Sequence, residues 1–217
     1  ADHIASGRDV EAELRRMREL FLRWNPSTTM KCAIFEENGN RHDMQRVLGH
    51  VTLQNAVRRM GDFVLTSCAA NALQPYRQND NGWDQGQVFF TPSQVWGMPP
   101  YYAQQMAAAH HRPLTVGCGV EGADGVLDVT ATRSREAGSV VLHIANTGAE
   151  PLRVGLRVDG MGKVSQARMV SLSGDLDAVN TPEEPRRIAP VGRELPAWAA
   201  QTVDIAPYSY TIVVLDE

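Results

Sequence analysis

The chain has 217 residues, 43% hydrophobic and 21% charged, enough apolar material for one large core or two small ones and too much for a disordered polymer. A net charge of −4 and a pI near 5.9 offer no basic stripe for a phosphate backbone, and no apolar run approaches the roughly 20 residues that span a bilayer, so neither nucleic acid nor membrane is an expected partner. The three cysteines, Cys32, Cys68 and Cys118, lack CxxC spacing and fit free thiols in a reducing, cytoplasmic compartment; a secreted or periplasmic location stays open.

In chain order, Leu14, Met17, Phe21 and Trp24 stand at helical spacing and predict an amphipathic helix over Val10 to Trp24, with Asp9 as its N-cap and Asn25-Pro26 as its stop. The run Cys32 to Phe35 reads as a short strand buried in a parallel sheet. Asp43 then caps a second helix whose band of Val47, Leu48, Val51, Leu53, Ala56, Val57 and Met60 ends at Gly61. Phe63 to Thr66 is a second buried strand. After a loop from Ala69 to Pro99, Pro100 opens a third helix through about His110. This alternation is the order of βα units.

From Leu114 the pattern changes to period two: Leu127, Val129 and Ala131; Val141, His143 and Ala145; Val154, Leu156 and Val158. Short alternating strands separated by turns such as Asn146-Thr147-Gly148 predict an antiparallel β-sandwich, with the continuously apolar Tyr210 to Leu215 as a central strand. Composition shifts at the same place. Residues 1–112 carry a charge balance of +1 and 11 of the 14 aromatics, while 113–217 carry −5 and three aromatics. The chain therefore divides into 1–112, the binding half, and 113–217, a scaffold expected to fold alone. Two buried parallel strands leave their edges unsatisfied, so the first half reads as the last quarter of a (β/α)8 TIM barrel. Its remaining strands would come from another chain or a longer precursor.

Gly117-Cys118-Gly119-Val120-Glu121-Gly122 matches GxGxxG in letters only, because a turn and a strand follow where a dinucleotide site needs a helix N-terminus. His110 and His111 are adjacent, and His42 with His50 matches no ligand spacing, so no metal and no cofactor are expected. The chemistry concentrates where the first strand ends, in Glu36-Glu37-Asn38-Gly39-Asn40, since parallel barrels carry their reacting groups at the C-terminal ends of strands. Successive strand side chains alternate, so at most one of the two carboxylates enters the barrel mouth. In the loop from Ala69 to Pro99, Trp83, Phe89 and Phe90 stand beside Asn79, Asn81, Gln85 and Gln87. Flat rings and planar amides suit stacking on a sugar and hydrogen bonding to its hydroxyls.

Taken together, Glu36-Glu37-Asn38, Asn55-Ala56-Val57-Arg58-Arg59-Met60, Gly61-Asp62-Phe63-Val64, Trp83-Asp84-Gln85 before Val88-Phe89-Phe90-Thr91-Pro92, Pro100-Tyr101-Tyr102 and Ile205-Ala206-Pro207-Tyr208-Ser209-Tyr210 resemble the C-terminal half of the α-L-arabinofuranosidases of glycoside hydrolase family 51. The resemblance implies a (β/α)8 barrel followed by a β-sandwich, and a retaining mechanism that releases terminal arabinofuranosyl groups from hemicellulose-derived oligosaccharides. It implies Glu36 as nucleophile in preference to Glu37, with Trp83 and Gln85 binding substrate, and a homo-oligomer; Asn38, by its place just past the strand end, is expected to donate a hydrogen bond to the same sugar. The family's acid/base is the Glu of an Asn-Glu pair, and no such dipeptide occurs here. The resemblance thus gives half a site, inactive in isolation. A non-catalytic carbohydrate-binding or assembly subunit of the same ancestry is the alternative. Asn40 and Cys68-Ala69-Ala70-Asn71 depart from the family pattern and bear on substrate identity.

Overall fold

The computed structural model describes residues 6–78, 85–136, 138–196 and 202–217. Helix α1 (Ser6–Trp24) begins four residues before its expected start, because Gly7 lets the helix run hard against the next one: a Cβ there would sit 2.1 Å from the Thr52 carbonyl oxygen. Asp9 consequently lies inside the first turn, where its charge favours the helix dipole, and is not the cap. Leu14, Val10 and Phe21 pack from α1 onto Met60, Phe63 and Val64.

Strand β1 (Cys32–Glu37) leads to α2 (Met44–Arg59), where the Asp43 side chain accepts from the Arg46 amide as the sequence predicts. Strand β2 (Val64–Ala69) then pairs with β1 in parallel. Among the described residues this sheet has two strands and forms no closed barrel. Its pairing is irregular twice. Cys32 and Ala33 face Val64 and Thr66, which leaves Leu65 as an extra residue on β2. Ile34 and Glu37 face Ser67 and Ala69, which leaves one extra residue on β1. Such bulges change which face the following side chains take.

The segment expected as one long loop contains a small three-stranded sheet, β3 (Leu73–Pro75), β4 (Val88–Phe90) and β5 (Val95–Gly97). Phe89, Trp96 and Met98 form its own apolar cluster with Tyr76 against them, which accounts for three of the segment's aromatic rings. Residues 79–84, including Trp83, lie outside the described residues. Helix α3 (Pro99–Ala109) follows with proline in its first turn.

The remaining strands are β6 (Leu114–Val116), β7 (Leu127–Arg133), β8 (Ser139–Asn146), β9 (Leu152–Gly155), β10 (Gln166–Ser173), β11 (Val191–Leu195), β12 (Thr202–Ile205) and β13 (Ser209–Asp216). Six of them form one sheet in the order β11-β10-β13-β8-β7-β6, and β12 pairs with β9 separately. Strand β13 is central, between β10 and β8, and its apolar run, interrupted only by Thr211, whose hydroxyl pairs with that of Ser171 at 2.8 Å, follows from burial on both faces. Tyr210, Ile212 and Val214 join Val141, Ala145 and Leu172 beneath Met44, Val47 and Val51 of α2 and Tyr102, Ala103 and Met106 of α3. Val213 and Leu215 join Leu142, Ile144 and Met169 on the other face, against Val203 and Ile205 of β12. One continuous core therefore crosses residue 113. Strand β9 ends at Gly155, short of the expected Val158, whereas β10 has no counterpart in the sequence reading.

Candidate active site

The C-terminal ends of β1 and β2, the first two turns of α2 and the start of residues 85–87 converge on a buried polar chain. The bulge between Ile34 and Glu37 sets its geometry. Cys32 and Ile34 lie with Val64 in the core beneath α1 and α2. Strict alternation from Ile34 would send Glu36 into that core and Glu37 away from it. The extra residue reverses this. Glu37 is 4% exposed, while Phe35 and Glu36 are both exposed. On β2 the matching pattern leaves Leu65, Thr66 and Cys68 exposed with Ser67 half-buried. The two-stranded sheet thus has a covered face bearing Glu37 and an open face bearing Glu36, with Phe35 78% and Leu65 71% exposed beside it.

Both carboxylate oxygens of Glu37 are engaged. Oε1 accepts from the Ser67 hydroxyl, and Oε2 lies 2.8 Å from His50 Nδ1. On the far side of the imidazole, Arg46 Nε donates to His50 Nε2 at 2.8 Å. An acceptor at Nε2 puts the proton on Nδ1, so His50 is the neutral tautomer that donates to Glu37. Burial, the largest influence, lowers the His50 pKa below its ordinary value; the Glu37 carboxylate opposes the shift and the Arg46 charge adds to it. Arg46 is itself fully buried. Its guanidinium also donates to the carbonyls of Arg41 at 2.7 Å, Ala70 at 2.6 Å and Gln85. One side chain therefore holds three connecting segments around the strand ends.

Asn38 is exposed just past β1. Gln85 is buried, and its Oε1 accepts from the Gly39 amide at 3.1 Å, so it is gathered to the same place. Gln74 Oε1 in turn accepts from the amides of Gln85 at 3.2 Å and Gly86 at 2.7 Å. Among the described residues the Glu36 carboxylate makes no hydrogen bond or ion pair. Arg46, His50 and Ser67 were not singled out as a group by the sequence reading. The available signal was Arg46 and His50 spaced i, i+4 inside an otherwise apolar helix, where a charged side chain needs a buried partner.

Among the described residues no group of three or more His, Cys, Asp or Glu side chains could hold a metal ion, and the three cysteines are free. No described helix is long and apolar enough to cross a membrane. Residues 117–122 form a loop before β7 and line a separate cleft of about 1180 Å³ with Val129, Leu142 and Val154. That cleft includes none of the residues at the strand ends.

A family model described as the α-L-arabinofuranosidase C-terminal domain matches residues 25–209. Solved structures of similar fold include the following three. The thermostable GH51 α-L-arabinofuranosidase from Thermotoga petrophila RKU-1 superposes with a TM-score of 0.85 at 17% identity, over 98% of this chain and 49% of that one. An arabinose complex of the α-L-arabinofuranosidase from Thermotoga maritima gives 0.81 at 17% identity, over 100% and 49%. The GH51 arabinofuranosidase from Xanthomonas axonopodis pv. citri gives 0.74 at 11% identity, over 95% and 45%. The chain spans about half the length of these structures, and at such identities the likeness is one of fold. No curated protein matches the chain.

Proposed function

The chain belongs to the α-L-arabinofuranosidases of glycoside hydrolase family 51, as a C-terminal part, and from that premise we propose that it carries the nucleophile of a retaining glycosidase acting on terminal α-L-arabinofuranosyl groups of hemicellulose oligosaccharides. Residues 1–112 supply the last two strands and helices of the (β/α)8 barrel, and 113–217 the β-sandwich beside it. The remaining strands cover the open face of β1 and β2, and one of them brings the acid/base. A homo-oligomer in the cytoplasm fits this reading.

The observation that carries it is the division of the two adjacent carboxylates by the β1 bulge. Glu37 has both oxygens occupied on the covered face, whereas Glu36 is exposed beside Phe35 and Leu65, whose exposure marks a surface made to be covered. A retaining mechanism needs a second carboxyl group about 5 to 5.5 Å away. Glu36 attacks the anomeric carbon as a carboxylate while that partner, protonated, gives its proton to the leaving oxygen; the partner then activates water to release the sugar. Asn38 follows this strand end, and Gln85 is tied to it through the Gly39 amide; in this reading both hold sugar hydroxyls, with Trp83 from the same connection as Gln85.

The test is Glu36→Ala in the complete enzyme, assayed on 4-nitrophenyl α-L-arabinofuranoside. Turnover should fall by roughly three or more powers of ten, because no covalent intermediate can form. Azide should restore part of it and give the inverted glycosyl azide. Azide rescue of Glu37→Ala with Glu36→Ala inert would exchange the two assignments.

A further inference from the structure

We propose that the buried chain Arg46–His50–Glu37 is a positioning device that fixes the direction of the Glu36 carboxylate, a role that rests on Glu36 being the nucleophile. Glu37, His50 and Arg46 are 4%, 0% and 0% exposed, and a carboxylate and a guanidinium out of water persist only where nearly every donor and acceptor is matched. Here they are matched in series. Ser67 and His50 occupy the two oxygens of Glu37, the imidazole carries donor and acceptor on opposite sides, and Arg46 spends its donors on His50 and on carbonyls of three connecting segments.

The mechanical consequence falls on Glu36. A bulge is a weakly determined stretch of strand, since one residue has no cross-strand partner. In β1 the stretch after Ile34 contains the nucleophile itself. Glu37 closes the bulge: its carbonyl accepts from the Ala70 amide at 3.3 Å, and its side chain is pinned to β2 by Ser67 and to α2 by His50. With the following residue held at backbone and at both carboxylate oxygens, the Cα–Cβ vector of Glu36 has one direction open to it, toward the uncovered face. His50 touches no group that reacts. It acts through Glu37, and misplacement of a reacting group by about 1 Å can cost on the order of a hundredfold in rate.

The two nitrogens of His50 make the idea testable by a matched pair of substitutions. In His50→Asn the amide nitrogen falls near the place of Nδ1 and can still donate to Glu37, while the link to Arg46 is lost. In His50→Gln the longer side chain reaches the place of Nε2 and can still accept from Arg46, while Glu37 loses its donor. Both are measured in the complete enzyme, with kcat and KM on 4-nitrophenyl α-L-arabinofuranoside and thermal midpoints by calorimetry, beside Glu36→Ala. The expected result is a fall in kcat of roughly 10- to 100-fold for His50→Gln with KM within about twofold. His50→Asn should recover at least tenfold of that loss at a comparable midpoint. Equal kcat for the two variants, or losses confined to KM or to the thermal midpoint, would overturn the positioning role and leave Glu36 as nucleophile. Full turnover in Glu36→Ala would overturn both readings together.

Discussion

Asn55 on α2 and Thr130 on β7 are joined across the helix and sheet layers, with the threonine hydroxyl donating to Asn55 Oδ1 at 2.8 Å. The Asn55 amide nitrogen donates in turn to Asp128 Oδ1 at 3.1 Å, and Arg58 donates to Asn55 Oδ1 at 3.0 Å. Both residues are buried. Asn55→Leu leaves the Thr130 hydroxyl and the Asp128 side chain without this partner, at a cost of about 1 to 3 kcal/mol for each buried group stranded. Urea unfolding should show a lowered midpoint with an unchanged slope. An unaltered midpoint would mean that the contact contributes nothing net.

The same seam bears on the expectation that residues 113–217 fold alone. Val141, Ala145, Tyr210, Ile212 and Val214 are covered by α2 and α3, and a fragment beginning at residue 113 would expose them all. The expected outcome for that fragment is therefore no cooperative unfolding in urea, with cooperativity recovered when α2 and α3 are retained. A sharp transition in the short fragment would show that the opposite face of the sheet suffices.

Acid should destabilise the protein through its buried histidines. His143, fully buried with Nδ1 2.8 Å from the Tyr210 hydroxyl, has its pKa lowered from 6.5 to about 2, chiefly by burial and then by the Arg58 charge. Because the unfolded chain binds this proton near pH 6.5 and the folded one does not, stability is full above that pH. It is lost progressively as pH falls from 6.5 toward 2, by at most about 1.4 kcal/mol per pH unit for one proton. His50 shifts in the same direction. Urea midpoints at pH 7.5, 5.5 and 4.5 should fall in that order, and His143→Leu should flatten the slope by up to one proton. An unchanged slope in that variant would assign the acid loss elsewhere.

The open face of β1 and β2 should be visible in the isolated chain. Phe35 and Leu65 are 78% and 71% exposed, adjacent to strand edges with unpaired backbone groups. The 217-residue chain should bind an apolar dye and self-associate, and Phe35→Lys with Leu65→Lys should reduce both without changing the far-ultraviolet dichroism. In the complete enzyme the same pair should abolish folding, since the proposal places them inside the barrel. Harmless substitutions there would remove the barrel reading of these strands.

How much of this was legible in the sequence depends on whether one local pattern decided the matter. Asp43 could be assigned as a cap because an acidic side chain before an apolar helical band has few other uses, and Tyr210 to Leu215 could be placed centrally because only two-sided burial tolerates such a run. β10 was missed because its polar–apolar alternation changes phase midway, between Met169 and Val170, which leaves two short stretches of four residues each. The sheet of β3, β4 and β5 was missed because each strand has three residues, too few for a period to show. At the strand ends, Glu36 and Glu37 could be singled out as chemistry. Their facing rests on a bulge, and a bulge is a property of two paired strands that neither segment states alone. The Glu37 to His50 contact joins residues thirteen positions apart and was hidden for the same reason.

The extra residue in β1 works as a phase shifter. Flattened, the same strand would turn Glu36 under the helices and present Glu37 outward, so two carboxylates in a row mean that either phase offers an acid group to the open face. A slip of half a pleat would exchange them without touching a covalent bond. Removing one residue from the bulge would instead keep Glu36 outward and Glu37 inward while drawing the strand end back by roughly 3.3 Å, the rise of a single residue. The facing of this carboxylate and its reach are therefore set independently, and a lineage carrying Glu-Glu here could lengthen or shorten the strand by one residue and still have an acid group facing the same way.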